Sequence, residues 1–215
     1  MEILMQTEWD VPSERVEEYS DFVKRTFIPQ CNAMGLESVG GFYVEVGLGP
    51  SIISVKRADS LEDLFRIMST DEYNELVDQV KNIVIGYRAK IMRSTGRVKR
   101  GTYQIQKGVW KYNQHWDILP GRRAEYAQFV VVEHMPLLEA LPYLELTGAW
   151  DVLIGGHSEI MLELTFKDPV DIGALFDNAS YRQLTHVLKS QYVTNYSSRI
   201  LRTTERFDEP RWFVL

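Results

Sequence analysis

Two short stretches of this chain set acid–base side chains in matched places. "QTEWDVPSER" covers residues 6–15 and "NQHWDILPGR" covers residues 113–122. Each holds a Trp-Asp pair, Trp9-Asp10 and Trp116-Asp117, and the residue before the pair is Glu8 in one and His115 in the other. A carboxylate and an imidazole brought together can pass a proton to and from a substrate. His115 is the candidate base, Glu8 its matched partner, and Asp117 the carboxylate that would orient the ring, although it lies only two residues along the same strand. A solvated or structural ion pair uses the same residue types.

A second set is aromatic. Trp9, Trp116, Tyr112, Trp150 and Tyr43 fall on expected strands, and Tyr87 and Tyr196 on expected helices facing them. Such rings with a few polar groups suit a flat hydrophobic or aromatic ligand. Core packing would use them equally well, but a buried Trp or Tyr still needs a partner for its N–H or O–H. The second stretch has more of them (Trp110, Tyr112 and Trp116 against Ile3, Met5 and Trp9), so an unequal pocket around His115, Trp116, Trp150 and Tyr196 is expected.

The elements that must position these residues come in two copies. Trp9 and Trp116 stand at an offset of 107, as do Glu18-Tyr19 and Glu125-Tyr126, Pro29 and Pro136, Gly41 and Gly148, and Ile53 and Ile160. The offset becomes 108 at Tyr73 and Tyr181, then 109 at Tyr87 and Tyr196, where "YRAKIMRSTGRV" lies over "YSSRILRTTERF". A period this long points to duplicated domains rather than a solenoid. Within each copy the opening segment alternates as a strand, with Ile3, Met5, Trp9 and Val11 on one face and Gln6, Glu8 and Asp10 on the other. Asn113, His115 and Asp117 fall on the matching face. A Pro-initiated helix follows, then a hairpin through "LGP" or "GGHS", then a long helix read through Val84, Tyr87 and Ile91 or Tyr196 and Ile200. Fourth strands are expected near "STGRVKR" and "TTERF".

The order β-α-β-β-α-β is the split βαβ, ferredoxin-like plan. Both helices of such a unit cover one sheet face and leave the other bare, which two units solve by packing sheet to sheet. The expected fold is therefore α+β: two ferredoxin-like units, residues 1–100 and 107–207, forming a barrel within one chain, with "GTYQIQKG" running along it through Tyr103, Ile105 and Val109. Residues 208–215, ending Trp212-Phe213-Val214-Leu215, read as a docking tail on this chain or on a second copy in a homodimer.

Composition narrows the function classes. The 215 residues carry a net charge of −6 with no basic stripe, which argues against nucleic acid. The one cysteine, Cys31, permits no internal disulfide and suits a reducing compartment. No apolar run nears the ~20 residues of a membrane helix, and no secretory leader is visible, so a cytoplasmic protein is expected. Phosphate-binding glycine loops, nucleophile elbows and metal-ligand spacings are all missing, and no cofactor or metal is expected.

With "EWDVPSERVEEYSDFV", the "GGFYVEVG…SIISVKRADSLEDLFRIMS" middle and the "SRILRTTERF" end, the chain resembles the dimeric α+β barrel superfamily, above all its antibiotic-biosynthesis-monooxygenase and NIPSNAP-like domains. The resemblance covers nearly the whole chain and is architectural. It implies either a cofactor-independent oxygenase acting on a flat, activated aromatic substrate, or a non-catalytic ligand-binding or scaffold protein. Some relatives degrade haem and would place an iron-ligating histidine on the second helix, where this chain has His186. His134 and His157 complete the histidine set.

Overall fold

The computed structural model describes residues 2–98, 101–104 and 106–204. Its strands are β1 (Ile3–Asp10), β2 (Glu37–Val46), β3 (Ile52–Ala58), β4 (Ile85–Ser94), β5 (Trp110–Ile118), β6 (Glu145–Ile154), β7 (Ile160–Phe166) and β8 (Val193–Thr203). Helices α1 (Val16–Phe22) and α2 (Ile28–Ala33) follow β1, and α3 (Leu61–Met68) and α4 (Asp71–Ile83) follow β3. In the second half α5 (Arg123–Phe129) and α6 (Met135–Glu139) follow β5, and α7 (Val170–Asp177) and α8 (Ala179–Val187) follow β7. The strands close into one antiparallel barrel in the order β1-β3-β2-β8-β5-β7-β6-β4. Each half supplies four adjacent strands, and the β2–β8 and β4–β6 pairs join the halves. This is the dimeric α+β barrel architecture, built within a single chain.

Alternation along β1 explains the layering. Ile3, Met5 and Trp9 pack outward with Tyr19, Phe27, Leu64 and Leu76 of the helices. Leu4 points inward, joining Phe42, Ile53, Val55, Met92, Trp150, Met161 and Leu201 in the barrel core. The helix starts are fixed locally: Ser60, Thr70 and Asn178 accept the backbone N–H of Asp63, Tyr73 and Tyr181, which satisfies donors a helix leaves free at its start. The first helix of each half swells into a π turn, Val23–Phe27 or Val130–His134, just before Pro29 or Pro136. Proline has no N–H for the carbonyl one turn back, and the wider turn accommodates the break.

Three expectations need correction. The long helices end at Ile83 and Val187, the latter extended by a π turn to Tyr192, and the fourth strands begin at once, at Ile85 and Val193. Tyr87 and Tyr196 therefore lie on strands. The helical spacing through Val84, Tyr87 and Ile91 arises because β4 carries a bulge: Glu8 faces Arg88 and Asp10 faces Ile85, so Gly86 and Tyr87 together oppose Trp9. Asn195 and Tyr196 form the same bulge opposite Trp116. Left-handed backbone at Gly86 (φ 68°) and Asn195 (φ 52°) turns each chain through it. Finally, the matched register shifts earlier than expected. Gly40 faces Val55 as Gly148 faces Glu163, and Glu8 faces Ile53 as His115 faces Met161. Gly40 rather than Gly41, and Met161 rather than Ile160, hold the matched places.

Tyr103 of the connecting segment is buried in the barrel core, edge-on to Trp150 with ring centres 5.7 Å apart. Ile105 and the expected docking tail lie outside the described residues. No helix among the described residues is long and apolar enough to cross a membrane.

Candidate active site

A cleft of about 790 Å³ opens at the end of the barrel where the β2–β3 and β6–β7 turns lie. Its floor is made of inward-facing strand residues: Gln6 and Glu8 from β1, Lys90 from β4, His115 from β5 and Arg199 from β8. Both halves line the cleft, whereas a pocket favouring the second half was expected. Matched positions of the two halves meet at a barrel end, and a cleft there draws on both.

Electrostatics sets the floor's behaviour. Glu8 accepts a hydrogen bond from Gln6 Nε2 at 2.6 Å and one from Arg199 Nη1 at 3.0 Å. Lys90 Nζ stands 3.8 Å from Glu8 Oε1, beyond hydrogen-bond length. Burial pulls the Lys90 ammonium down to about 8; Glu8 opposes the shift and Arg199 adds to it. His115 is held well below the ordinary imidazole value, first by burial and then by the charges of Lys90 and Arg199. It is therefore a neutral ring at pH 7, with one ring nitrogen unprotonated. Among the described residues no hydrogen bond engages its side chain, and none joins it to Glu8.

The turns that roof the cleft depend on glycine. Gly49 has φ 111°, and a Cβ there would meet Arg199 Nη2 at 2.5 Å; a Cβ on Gly155, at φ 73°, would meet the Ala89 carbonyl at 2.3 Å. At Gly155 only backbone without a side chain can lie this close to β4, and at Gly49 the left-handed φ favours glycine.

The other sequence candidates sit elsewhere. Asp117 accepts the Glu159 N–H and the Asn195 amide, and Asp10 accepts the Ser51 N–H and hydroxyl. Both carboxylates tie the hairpin turns to the strand ends, and Asp117 does not reach the His115 ring. Trp9 donates to the Tyr19 hydroxyl at 3.0 Å and stacks on Tyr87; Trp116 donates to Tyr126 at 3.0 Å and stacks on Tyr196. These rings satisfy one another between sheet and helices. Tyr112 shares a hydrogen bond with Tyr196, Tyr43 lies under the Arg202 guanidinium, and Trp150 belongs to the barrel core. None of the seven aromatic candidates lines the cleft. His186 is exposed on α8, and His134 is sealed against Trp116 and Phe129. His186 does not line the cleft. Among the described residues no cluster of three or more His, Cys, Asp or Glu could hold a metal ion.

Sequence reasoning missed Lys90 and Arg199, because the helix was carried too far. Their signal stood in the matched "YRAKI" and "YSSRI", where the two cations occupy one aligned column.

No protein-family model and no curated protein sequence matches this chain. Solved structures do resemble it. A candidate monooxygenase from Lactobacillus acidophilus is 9% identical with a TM-score of 0.62, covering 94% of this chain and 93% of its own. An anthrone oxidase-like protein is 12% identical with a TM-score of 0.61, covering 94% and 90%. A mutant chlorite dismutase from Candidatus Nitrospira defluvii, in complex with cyanide, is 7% identical with a TM-score of 0.62, covering 93% and 90%. At these identities the likeness is one of fold. The chain is similar to monooxygenase-like dimeric α+β barrel proteins, and its chemistry must be argued from its own cleft.

Proposed function

We propose that this chain is a small-molecule enzyme of the cofactor-independent monooxygenase kind, with the barrel-end cleft as its active site and His115 as its base. The observation that carries the reading is a buried, neutral His115 with no hydrogen-bond partner among the described residues, lining a cleft beside Lys90 and Arg199. The cleft is of a size that takes organic ligands. His115 removes a proton from an activated C–H of the substrate. Lys90 and Arg199 stabilise the negative charge that develops, in a site partly shielded from water. The substrate carbanion then passes its electrons to dioxygen and a C–O bond forms. The peroxide O–O bond breaks with loss of water, leaving a carbonyl where a methylene stood.

The repeated sequence supports an origin by duplication of one unit, with halves near 1–100 and 107–207. Cys31 as the one, buried cysteine supports a cytoplasmic setting.

Anthrone, the compound class in one neighbour's description, is the first probe. Oxygen consumption with anthrone is expected to fall by about 10²-fold or more in His115→Ala, the usual worth of a positioned base. Equal rates in the two proteins, or no consumption by either, would remove the oxygenase reading.

A further inference from the structure

We propose that the substrate of this cleft carries a carboxylate, and that the carboxylate docks on the Lys90 ammonium. This deepens the reading of the cleft as the active site and rests on it.

The first argument is a charge count. The floor holds two cations, Lys90 and Arg199, against one carboxylate, Glu8, while His115 is neutral. One positive charge is left over. Arg88 at the rim is a third cation, but it and His157 are exposed, so water screens them and the buried floor keeps its single surplus charge. A ligand with a single negative charge balances the floor. A phosphate dianion would overcharge that buried floor and find its second positive partner only in the solvent-screened Arg88 at the rim.

The second argument is the state of Lys90 itself. Its side chain is 9% exposed. An ammonium carries three donors, yet among the described residues the contacts of this one are Glu8 Oε1 at 3.8 Å and the Met161 sulfur at 3.9 Å. A buried charge short of partners costs free energy unless something supplies them. Lys111, deeper in the same barrel, shows what a satisfied lysine looks like here: it donates to Gln106 Oε1 at 2.6 Å and to Glu163 Oε1 at 2.7 Å. Lys90 lines the cleft, so its missing acceptor can enter from there. A carboxylate brings one oxygen to Lys90 and a second to the N–H of neutral His115, which also lacks a partner among the described residues. The substrate is thereby anchored with its remaining body in the cleft, against the base.

The groups facing Lys90 fix how binding responds to pH. They are Glu8 on β1, Arg88 on its own strand β4, His115 on β5, Arg199 on β8 and His157 in the β6–β7 turn. With Lys90 titrating at about 8 in the free protein, carboxylate binding is at full strength below that pH. Above it the affinity falls by up to tenfold per pH unit, because binding must first return the lysine's proton.

Isothermal titration on the full chain tests the proposal, with acetate, benzoate and 2-naphthoate, their neutral amides, and phenyl phosphate. At pH 7 at least one carboxylate is expected to bind, its amide to bind at least tenfold more weakly, and phenyl phosphate to bind no better than benzoate. Lys90→Met should weaken carboxylate binding at least tenfold. Lys90→Arg should retain it and move the loss of affinity to higher pH. Equal binding of acid and amide, tighter binding of phenyl phosphate, full binding by Lys90→Met, or no binding of any carboxylate would overturn the proposal. None of these readouts uses turnover. His115-dependent turnover without carboxylate binding sinks the carboxylate and leaves the base standing. Lys90-dependent carboxylate binding without His115-dependent turnover sinks the catalytic reading and leaves the anion site.

Discussion

The two ends of the barrel treat a buried lysine in opposite ways. At the closed end Lys111 donates to Glu163, whose other oxygen accepts from the Tyr103 hydroxyl at 3.1 Å, and Thr147 donates to Glu163 at 2.8 Å. Tyr103 comes from the segment joining the halves, and with Trp150 it fills that end. At the open end Lys90 faces a cleft and meets no oxygen at hydrogen-bond distance among the described residues. One fold thus builds a satisfied charge pair and an unsatisfied one along a single barrel. The satisfied pair acts as structure. The unsatisfied one is stability given up at a place where a ligand can restore it.

The largest effect that tests this contrast lies at the closed end. Lys111→Met strands Glu163 in the barrel with neutral donors alone. Removing one member of a buried pair costs about 3–5 kcal/mol, and a urea melt at pH 7 should show a loss of that size. Replacing both partners, Lys111→Leu with Glu163→Val, should recover most of it. Those are the residues the first half carries at the matched places, Leu4 and Val55, each set in the same register. A loss below about 1 kcal/mol for Lys111→Met would erase the distinction between the two ends.

The fold was legible to the extent that it rests on periodicity. The alternation of β1 and β5 and the β-α-β-β-α-β order both survive in the barrel, because they follow from burying one face of each element. The inward position of Glu8 and His115 was legible for the same reason. What failed was anything decided by a bulge. Gly86 and Asn195 insert extra residues into β4 and β8, so apolar positions there mimic helical spacing and hide Lys90 and Arg199 on strands. The aromatic residues misled in another way. Trp9, Tyr19 and Tyr87, like Trp116, Tyr126 and Tyr196, satisfy each other's polar atoms. That pairing is set by three-dimensional contact, and residue type alone does not separate it from a ligand wall. The role of Asp10 and Asp117 as hairpin ties was hidden similarly, since their partners, Ser51 and Glu159, lie on another strand's approach.

A middle-sized effect separates the two buried histidines, one in the cleft and one sealed in the helix layer. His134 stands where the first half has Phe27, its Nε2 has no hydrogen-bond partner among the described residues, and burial lowers it to about 4. In the folded chain it stays neutral between pH 6.5 and about 4, while in the unfolded chain it takes up a proton near 6.5. Stability is therefore intact above 6.5 and falls as pH drops through that window, by about 1.4 kcal/mol per pH unit for each such histidine. His115 has the same sign. His134→Phe should remove one share, so its stability relative to the parent chain should be about 2 kcal/mol better at pH 5 than at pH 8. Urea midpoints at the two pH values measure this. An advantage that does not change with pH would mean that His134 is protonated in the folded protein.

The smallest effect is the most telling, because it is the counterpart of the first. Lys90→Met should change stability by less than about 1 kcal/mol. Methionine nearly matches the volume of the lysine stem, and no hydrogen bond to oxygen is lost. Glu8 keeps its bonds to Arg199 at 3.0 Å and to Gln6 at 2.6 Å, so no carboxylate is left alone. The Lys90 ammonium is held below its ordinary value by burial, so the folded protein already bears a cost for keeping it charged, and the substitution removes that cost. The Coulomb attraction across 3.8 Å to Glu8 is lost at the same time, and the Arg199 repulsion goes with it. These terms oppose one another and leave little. Urea melts with an unchanged slope and a nearly unchanged midpoint are the expected result, alongside the loss of carboxylate binding. A destabilisation of about 3–5 kcal/mol, the size expected for Lys111→Met, would mean that Lys90 holds the barrel together as Lys111 does. The open end would then be a second structural pair, and the cleft would have no group set aside for a ligand.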